Sequence, residues 1–295
     1  MSQVINDDCL SWMSRNIRDK SVDMVLCDLP YGMTSNKWDS VIDLDMLWDE
    51  YRRVIKGTGV IVLTASQPFT SRLVSSNLGM FKHEWAWIKN RGSNFANTVR
   101  EPMKEHESVL VFANKKWIYN RQMQERAESG KSRAKYTVEH TSKSKNYRDF
   151  EGREHHQISE LRVPSSWQKF NIEVGLHPTQ KPVALFEYLI KTYSNEGNLV
   201  LDNCAGSGTT GIACINTNRD YILIEKDLGY YNISKDRVEK HIKDSINKYR
   251  IQSLEDTDLY WGNEFGWVDI DSCESFTEAD RRSLNLPIGG HWVKI

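Results

Sequence analysis

No apolar run in the 295-residue chain approaches the roughly 18 residues of a membrane-spanning segment. The start, Met1 to Arg15, carries Asp7 and Asp8 rather than a basic stretch followed by an apolar one, so a chain neither exported nor inserted in a membrane is expected. Cysteine is scarce. Cys9, Cys27, Cys204, Cys214 and Cys273 are odd in number, far apart and without a Cys-x-x-Cys pair, which excludes a disulfide framework and a structural zinc site. Reduced thiols in a cytoplasm and no bound metal are the expectation. No internal repeat is present, and a formal net charge of −1 leaves no overall excess of either sign.

That neutrality conceals two opposed segments. Lys115 to Lys169 holds thirteen Lys and Arg against seven acids, a net +6, whereas Leu254 to Ile295 has nine acids against three bases, a net −6. The first segment is suited to face a polyanion and the second to avoid one. A hydrophobic content of 39% suffices for a sizeable core, as one large domain with appendages or as two domains.

Short apolar runs recur with helix-length segments between them: Val22 to Cys27, Val60 to Leu63, Trp85 to Ile88, Val109 to Ala113, Leu199 to Leu201 and Tyr221 to Ile224. This spacing predicts βαβ units, a mainly parallel sheet and an α/β fold. Val183, Phe186, Leu189, Ile190 and Tyr193 repeat at helical spacing behind Pro182, which predicts an amphipathic helix on that sheet. The expected organisation is a discontinuous domain over 1–115 and 173–245, an inserted basic region over 116–172, and an acidic, aromatic-rich module over 246–295. The density of Tyr260, Trp261, Phe265, Trp267 and Trp292 argues against disorder in the last of these.

Asp28-Leu29-Pro30-Tyr31, followed by Gly32, ends the first apolar run. It places a carboxylate, a free carbonyl and a ring together at the carboxyl end of a strand, where open α/β sheets bind ligands. Such a set suits a flat, amino-bearing ring, although the same residues also make an ordinary turn. A second strand runs from Asn198 through Asp202 into Asn203-Cys204-Ala205-Gly206-Ser207-Gly208-Thr209-Thr210-Gly211, with a helix expected from about Thr209. Gly206, Gly208 and Gly211 satisfy G-x-G-x-x-G, and Glu225 ends the next strand, placed to accept the two hydroxyls of a ribose. The glycines fit a nicotinamide or flavin enzyme equally well. Asp202 leans the other way: a carboxylate there would repel a pyrophosphate and attract a cationic ligand such as S-adenosylmethionine.

Together these segments resemble the amino-group DNA methyltransferases of the N6-adenine and N4-cytosine class, in the permuted order where the Asp-Pro-Pro-Tyr-like motif comes before the glycine motif, as in phage, prophage or restriction-modification enzymes. The carriers are Asp28 to Gly32, Ser66-Gln67-Pro68-Phe69, Trp87-Ile88-Lys89, Asn94-Phe95, His106-Glu107, His177 to Pro182, the glycine loop, and Ile224-Glu225-Lys226-Asp227. Leu29 stands where a first proline is commoner, Asn203-Cys204 where Pro-Phe is usual, and Ala205 where bulkier residues occur. The loss of that Phe removes any aromatic packing against a cofactor at position 204.

The resemblance implies a seven-stranded Rossmann-like sheet with one antiparallel strand, S-adenosylmethionine as methyl donor, double-stranded DNA as substrate, and base flipping. Asp28, Pro30 and Tyr31 would hold the base. Asp202, Cys204, Gly206, Gly208, Thr209, Thr210 and Glu225 would hold the donor, with Thr179, Gln180 and Lys181 along its methionine half and Asp28 beside it. Lys131, Arg133, Lys135, Lys143, Lys145 and Arg148 are the candidates for phosphate contact. His106-Glu107 reads as a brace for the sheet, and Cys27 and Cys204 as small fillers without reactivity. Adenine N6 is favoured because Asp, rather than Ser, stands at 28; cytosine N4 is the alternative. A nicotinamide-dependent oxidoreductase and a catalytically silent DNA-binding protein are the competing classes. The acidic module is expected to contact a protein partner or stabilise a homodimer, or to act only as a cap.

Overall fold

The computed structural model describes residues 2–32, 39–127, 160–173, 175, 180–246, 248–263 and 266–295. The six candidate phosphate contacts between Lys131 and Arg148, and Thr179, lie outside the described residues.

Fifteen strands and seven α-helices occur among the described residues. The principal sheet is built from β1 (Gln3–Asn6), β2 (Val22–Asp28), β3 (Ile55–Ala65), β4 (Phe81–Ser93), β5 (Lys104–Ala113), β8 (Trp167–Lys169), β9 (Leu199–Asp202) and β10 (Asp220–Glu225). Its order is β1-β10-β9-β2-β3-β5-β4-β8. Pairing is parallel from β1 through β3, antiparallel on both sides of β5, and parallel again between β4 and β8. Among the described strands of this sheet only β5 runs against the rest, as expected. The described strands number eight rather than seven: Trp167–Lys169 pairs with Ala86–Ile88 on the β4 edge. Gln168 is the only buried residue of that three-residue strand, too short for a hydrophobic alternation to announce it.

All residues of β2 but the last are buried, a largely apolar parallel strand covered on both faces, in which the buried Asp23 accepts from Lys56 Nζ and Leu199 N. Because side chains alternate across a strand, Val25 and Cys27 face one core while Met24 and Leu26 face another. On the first face lie α1 (Cys9–Asn16), α2 (Leu44–Val54) and α3 (Phe69–Ser76), through Met13, Leu47, Trp48, Tyr51 and Leu73. On the second lie α4 (Val183–Tyr193), α5 (Thr209–Asn216) and α6 (Leu228–Ile246), through Leu185, Phe186, Leu189, Ile190, Ile212 and Val238. The Asp43 side chain caps α2 by accepting from Met46 N at 3.0 Å. Leu44, Leu47, Trp48 and Tyr51 then form its buried stripe.

The helix after β2 and the helix after β9 cover opposite faces, although β2 and β9 are neighbours in the sheet. A crevice opens at such a switch point, outside the carboxyl ends of both strands.

The two short strands β6 (Gln124–Glu125) and β7 (Leu161–Arg162) pair antiparallel across the two sides of the insertion. Beyond α6 a separate antiparallel sheet contains β11 (Lys248–Ser253), β12 (Tyr260–Gly262), β13 (Gly266–Val268), β14 (Phe276–Thr277) and β15 (Gly290–Lys294), with β11 central. Tyr249, Ile251 and Phe276 form its buried centre, and Trp292 meets both Tyr249 and Phe276 edge-on. Helix α7 (Glu278–Ser283) starts in a capping box between Thr277 and Asp280. Among the described residues no helix is long and apolar enough to cross a membrane.

Candidate active site

Asp28 is the last residue of β2 and is in register with Thr64 of β3, so both side chains project to the same side. Asp28 Oδ1 accepts from Tyr31 Oη at 2.7 Å and, in a short contact, from Thr64 Oγ1. Asp28 Oδ2 accepts from Lys181 Nζ at 2.5 Å. Tyr31 stacks on Phe69 with centroids 5.3 Å apart and planes 25° apart, and burial raises its hydroxyl pKa well above the usual value. Leu29, in the place of a proline, is buried in the first core. Gly32 turns the chain with a φ of +69°, and its N–H donates to Asp39 Oδ1 at 2.8 Å.

Asp202 ends β9 in the same way. Its Oδ1 accepts from Cys204 N at 3.1 Å, and its Oδ2 accepts from Thr210 Oγ1 in a short contact, so the carboxyl ties the glycine loop to the following helix. Gly206 donates its N–H to Glu225 Oε2, and Asp227 donates to Glu225 Oε1, each at 2.8 Å. The glycines serve distinct purposes. Gly208 has a φ of +79°, and a Cβ there would sit 2.5 Å from Ser234 Oγ. A Cβ on Gly211 would strike Leu223 at 2.7 Å and Val238 at 2.9 Å, so this glycine lets α5 approach β10 and α6.

Both halves open into one cavity of about 890 Å³. Asp28, Pro30 and Tyr31 line one part of it; Asp202, Cys204, Gly206, Thr209 and Glu225 line another, with Gln180, Lys181 and Glu107 also on its wall. Gly208 and Thr210 are not among its lining residues, and act on its shape from behind.

Two further departures from the motifs have local partners. Asn203 is buried and accepts from Tyr51 Oη at 2.5 Å, a bond a proline could not make. Cys204 sits against Cys27 and Cys9. Those two thiols, together with burial, push the Cys204 thiol well above its usual pKa, and burial pushes Cys27 up to about 12. Neither is a ready thiolate.

Glu107, read from the sequence as a sheet brace, stands inside the cavity. Its Oε1 accepts from Lys89 Nζ at 2.5 Å, and its Oε2 lies 3.5 Å from Lys181 Nζ. Burial opposes its ionisation, but the Lys181 and Lys89 ammonium groups outweigh it and hold the carboxyl below its usual range. Thr64, the pairing of Lys89 with Glu107 and the cavity-facing role of Glu107 escaped sequence reading. The available signal was an acid two residues before an unbroken apolar strand, Val109 to Ala113.

Asp202 is pushed from 3.8 up to about 7, chiefly by burial. The folded chain then holds a proton that the unfolded chain has released, so the stability from neutral Asp202 is complete below about pH 4 and is lost as pH rises towards 7. Asp202→Asn is expected to flatten the fall in melting temperature between about pH 4 and 7 relative to the native chain. Parallel melting curves for the two proteins would contradict this.

The cavity fits an adenosyl cofactor on its own chemistry: a Glu225 carboxylate ending β10, a glycine turn with N–H groups at the start of α5, and a buried Gln180 Oε1 with no hydrogen-bond partner among the described residues. Comparison with known proteins agrees. Residues 22–236 match the N6/N4 methyltransferase family model described as DNA methylase. The chain is 26% identical over 251 residues to the type II methyltransferase M.HpaI of Haemophilus parainfluenzae, covering 79% of this chain and 74% of that protein. It is 27% identical over 255 residues to the DNA adenine methyltransferase YhdJ of Escherichia coli, covering 80% and 82%. The crystal structure of the M1.HpyAVI–SAM complex superposes with a TM-score of 0.55 at 25% identity, over 81% of this chain and 99% of that one. The cytosine-N4-specific PvuII DNA methyltransferase shares the fold, with a TM-score of 0.56 at 14% identity over 82% and 91%. A nicotinamide enzyme is thereby set aside, and the chain belongs to the S-adenosylmethionine-dependent amino-group DNA methyltransferases, acting on N6 of adenine or N4 of cytosine.

Proposed function

We propose that the chain methylates N6 of adenine in double-stranded DNA. The observation that carries this reading is the opening of Asp28, Pro30 and Tyr31 onto the same cavity as Gly206 and Glu225. An aromatic amine is a poor nucleophile because its lone pair is delocalised into the ring. Asp28 Oδ2 and the Pro30 carbonyl would each accept one amino N–H, localising the pair and aiming it across the cavity. Tyr31, held by Phe69 and Asp28, would stack on the base. When bound, S-adenosylmethionine supplies a methyl whose bond to sulfur breaks, with its electron pair, as the bond to nitrogen forms. The surplus amine proton passes to the Asp28 carboxylate. In-line positioning of this kind is worth on the order of 7–11 kcal/mol.

The choice of adenine rests on Asp28 and on the likeness to a relative named as an adenine enzyme. Digesting methylated DNA to nucleosides tests it: N6-methyladenine is expected, and N4-methylcytosine would refute it.

A base inside a duplex cannot reach such a cavity, so the target is flipped, at a cost of a few kcal/mol. We place the compensating phosphate contacts in the basic insertion, 116–172. Replacing Lys143, Lys145 and Arg148 together by alanine is expected to weaken DNA binding at low salt and to shallow its logarithmic salt slope by about 0.9 for each phosphate no longer neutralised. An unchanged slope in filter-binding titrations would remove these residues from the DNA face. The acidic module, 246–295, is assigned to protein contact; truncation before Lys248 with unchanged assembly, stability and activity would leave it a passive cap.

A further inference from the structure

We infer that Lys181 is a placeholder for the target amino group, moving between two carboxylates as the base enters and leaves. The inference rests on the assignment of Asp28 and Tyr31 to base binding. In this structure the Lys181 ammonium donates to Asp28 Oδ2 at 2.5 Å and lies over the Tyr31 ring, 5.7 Å from its centroid. A flipped base needs both: its amino group must reach the Asp28 carboxylate, and its ring must stack on Tyr31. Asp28 Oδ1 is already engaged by Tyr31 and Thr64, which leaves Oδ2 to the newcomer. Ammonium and base compete for one position.

The second station is built next to the first. Glu107 Oε2 is buried, lies 3.5 Å from Lys181 Nζ, and has no hydrogen-bond partner among the described residues. A carboxylate oxygen held only by a long ion pair, without a hydrogen bond, is costly to bury. A shift of the ammonium by about one ångström towards Glu107 closes that hydrogen bond and lengthens the 2.5 Å contact with Asp28 beyond ordinary hydrogen-bond length, freeing Oδ2 for a second donor. Lys89 holds the other Glu107 oxygen at 2.5 Å and so fixes the receiving group. Two lysines and two acids keep the cluster neutral in both states, so no net charge is stranded in the buried site during the exchange. Lys181 acts here as a positioning residue: in the empty enzyme it shields Asp28, and in the loaded one it leaves the carboxylate to the amine.

The decisive measurement is side-chain ammonium NMR of the full chain with isotope-labelled lysine, the Lys181 signal being identified by its loss in Lys181→Met. Adding unmethylated genomic DNA together with S-adenosylhomocysteine is expected to move the Lys181 signal and leave that of Lys89 in place. In Asp28→Asn, which weakens the first station, the DNA-free spectrum is expected to resemble that of the DNA-bound native chain. In kinetics, Glu107→Gln removes the charged second station and is expected to raise KM for DNA about tenfold, with S-adenosylmethionine affinity held within about twofold by calorimetry. A Lys181 signal unmoved by DNA that the native chain methylates, or an unaltered KM in folded Glu107→Gln, would overturn the placeholder alone. A native chain that transfers no methyl group to DNA would instead overturn the proposed function.

Discussion

Asp28→Ala is expected to slow methyl transfer by at least about 10³-fold while leaving S-adenosylmethionine affinity within a few-fold of native. The asymmetry follows from where the carboxylate sits. Its partners are Tyr31, Thr64 and Lys181, whereas the contacts that shape the glycine loop are made by Asp202 and Glu225. Removing an acceptor that localises the amine lone pair acts on the transition state, so kcat falls rather than cofactor binding. Asp28→Asn keeps one acceptor oxygen but loses the charge that draws in the amine's departing proton, and is expected to retain a small residual rate. Single-turnover methyl transfer and calorimetry on the same preparations separate the two effects, and native turnover in Asp28→Ala would refute the assignment of the site.

The second large effect is expected at Glu225. Glu225→Ala should weaken S-adenosylmethionine binding by about 100-fold or more, with a smaller change in turnover at saturating cofactor. The carboxylate has two tasks at the end of β10. It accepts from Gly206 N and Asp227 N, fixing the turn, and its position on the cavity wall suits the two hydroxyls of a ribose. Burial raises its pKa, so the ionised form depends on those N–H groups and on a ligand's hydroxyls for its solvation. A Glu225→Gln variant preserves shape without charge and is expected to fall between the two. Equal cofactor affinity in native and Glu225→Ala chains would move the ribose site elsewhere in the cavity.

The parallel core was legible in the sequence because its strands are buried on both faces. Met24 to Cys27 and Tyr221 to Ile224 read as unbroken apolar runs, and Val183 to Tyr193 carries a helical stripe. Strands Gln3–Asn6 and Trp167–Lys169 were not legible, being short edge strands whose stability comes from neighbours rather than from a pattern of their own. In the acidic module the aromatics signalled order, but strands of two to six residues with mixed burial carried no alternation from which a sheet could be read. At the site, Asp28 and the glycines stood out because turns and backbone approach demand particular residue types. Glu107 did not. Its place in the cavity depends on the antiparallel register that sets it across from Trp87, with Lys89 and Lys181 brought to it by two other elements, and no local pattern encodes such a meeting.

The narrow pairing of Gln124–Glu125 with Leu161–Arg162 closes the two sides of the basic insertion together before either side reaches the sheet. Downstream of that neck the chain pairs with β4 through Trp167–Lys169, close to Lys89 on the same strand. A loop whose ends are already joined costs little more entropy when it lengthens, since the cost grows only with the logarithm of its length. The neck fixes where the chain leaves and rejoins the described fold around residues 126–160, so a change of length there need not disturb the registers that assemble Asp28, Glu107 and Lys181.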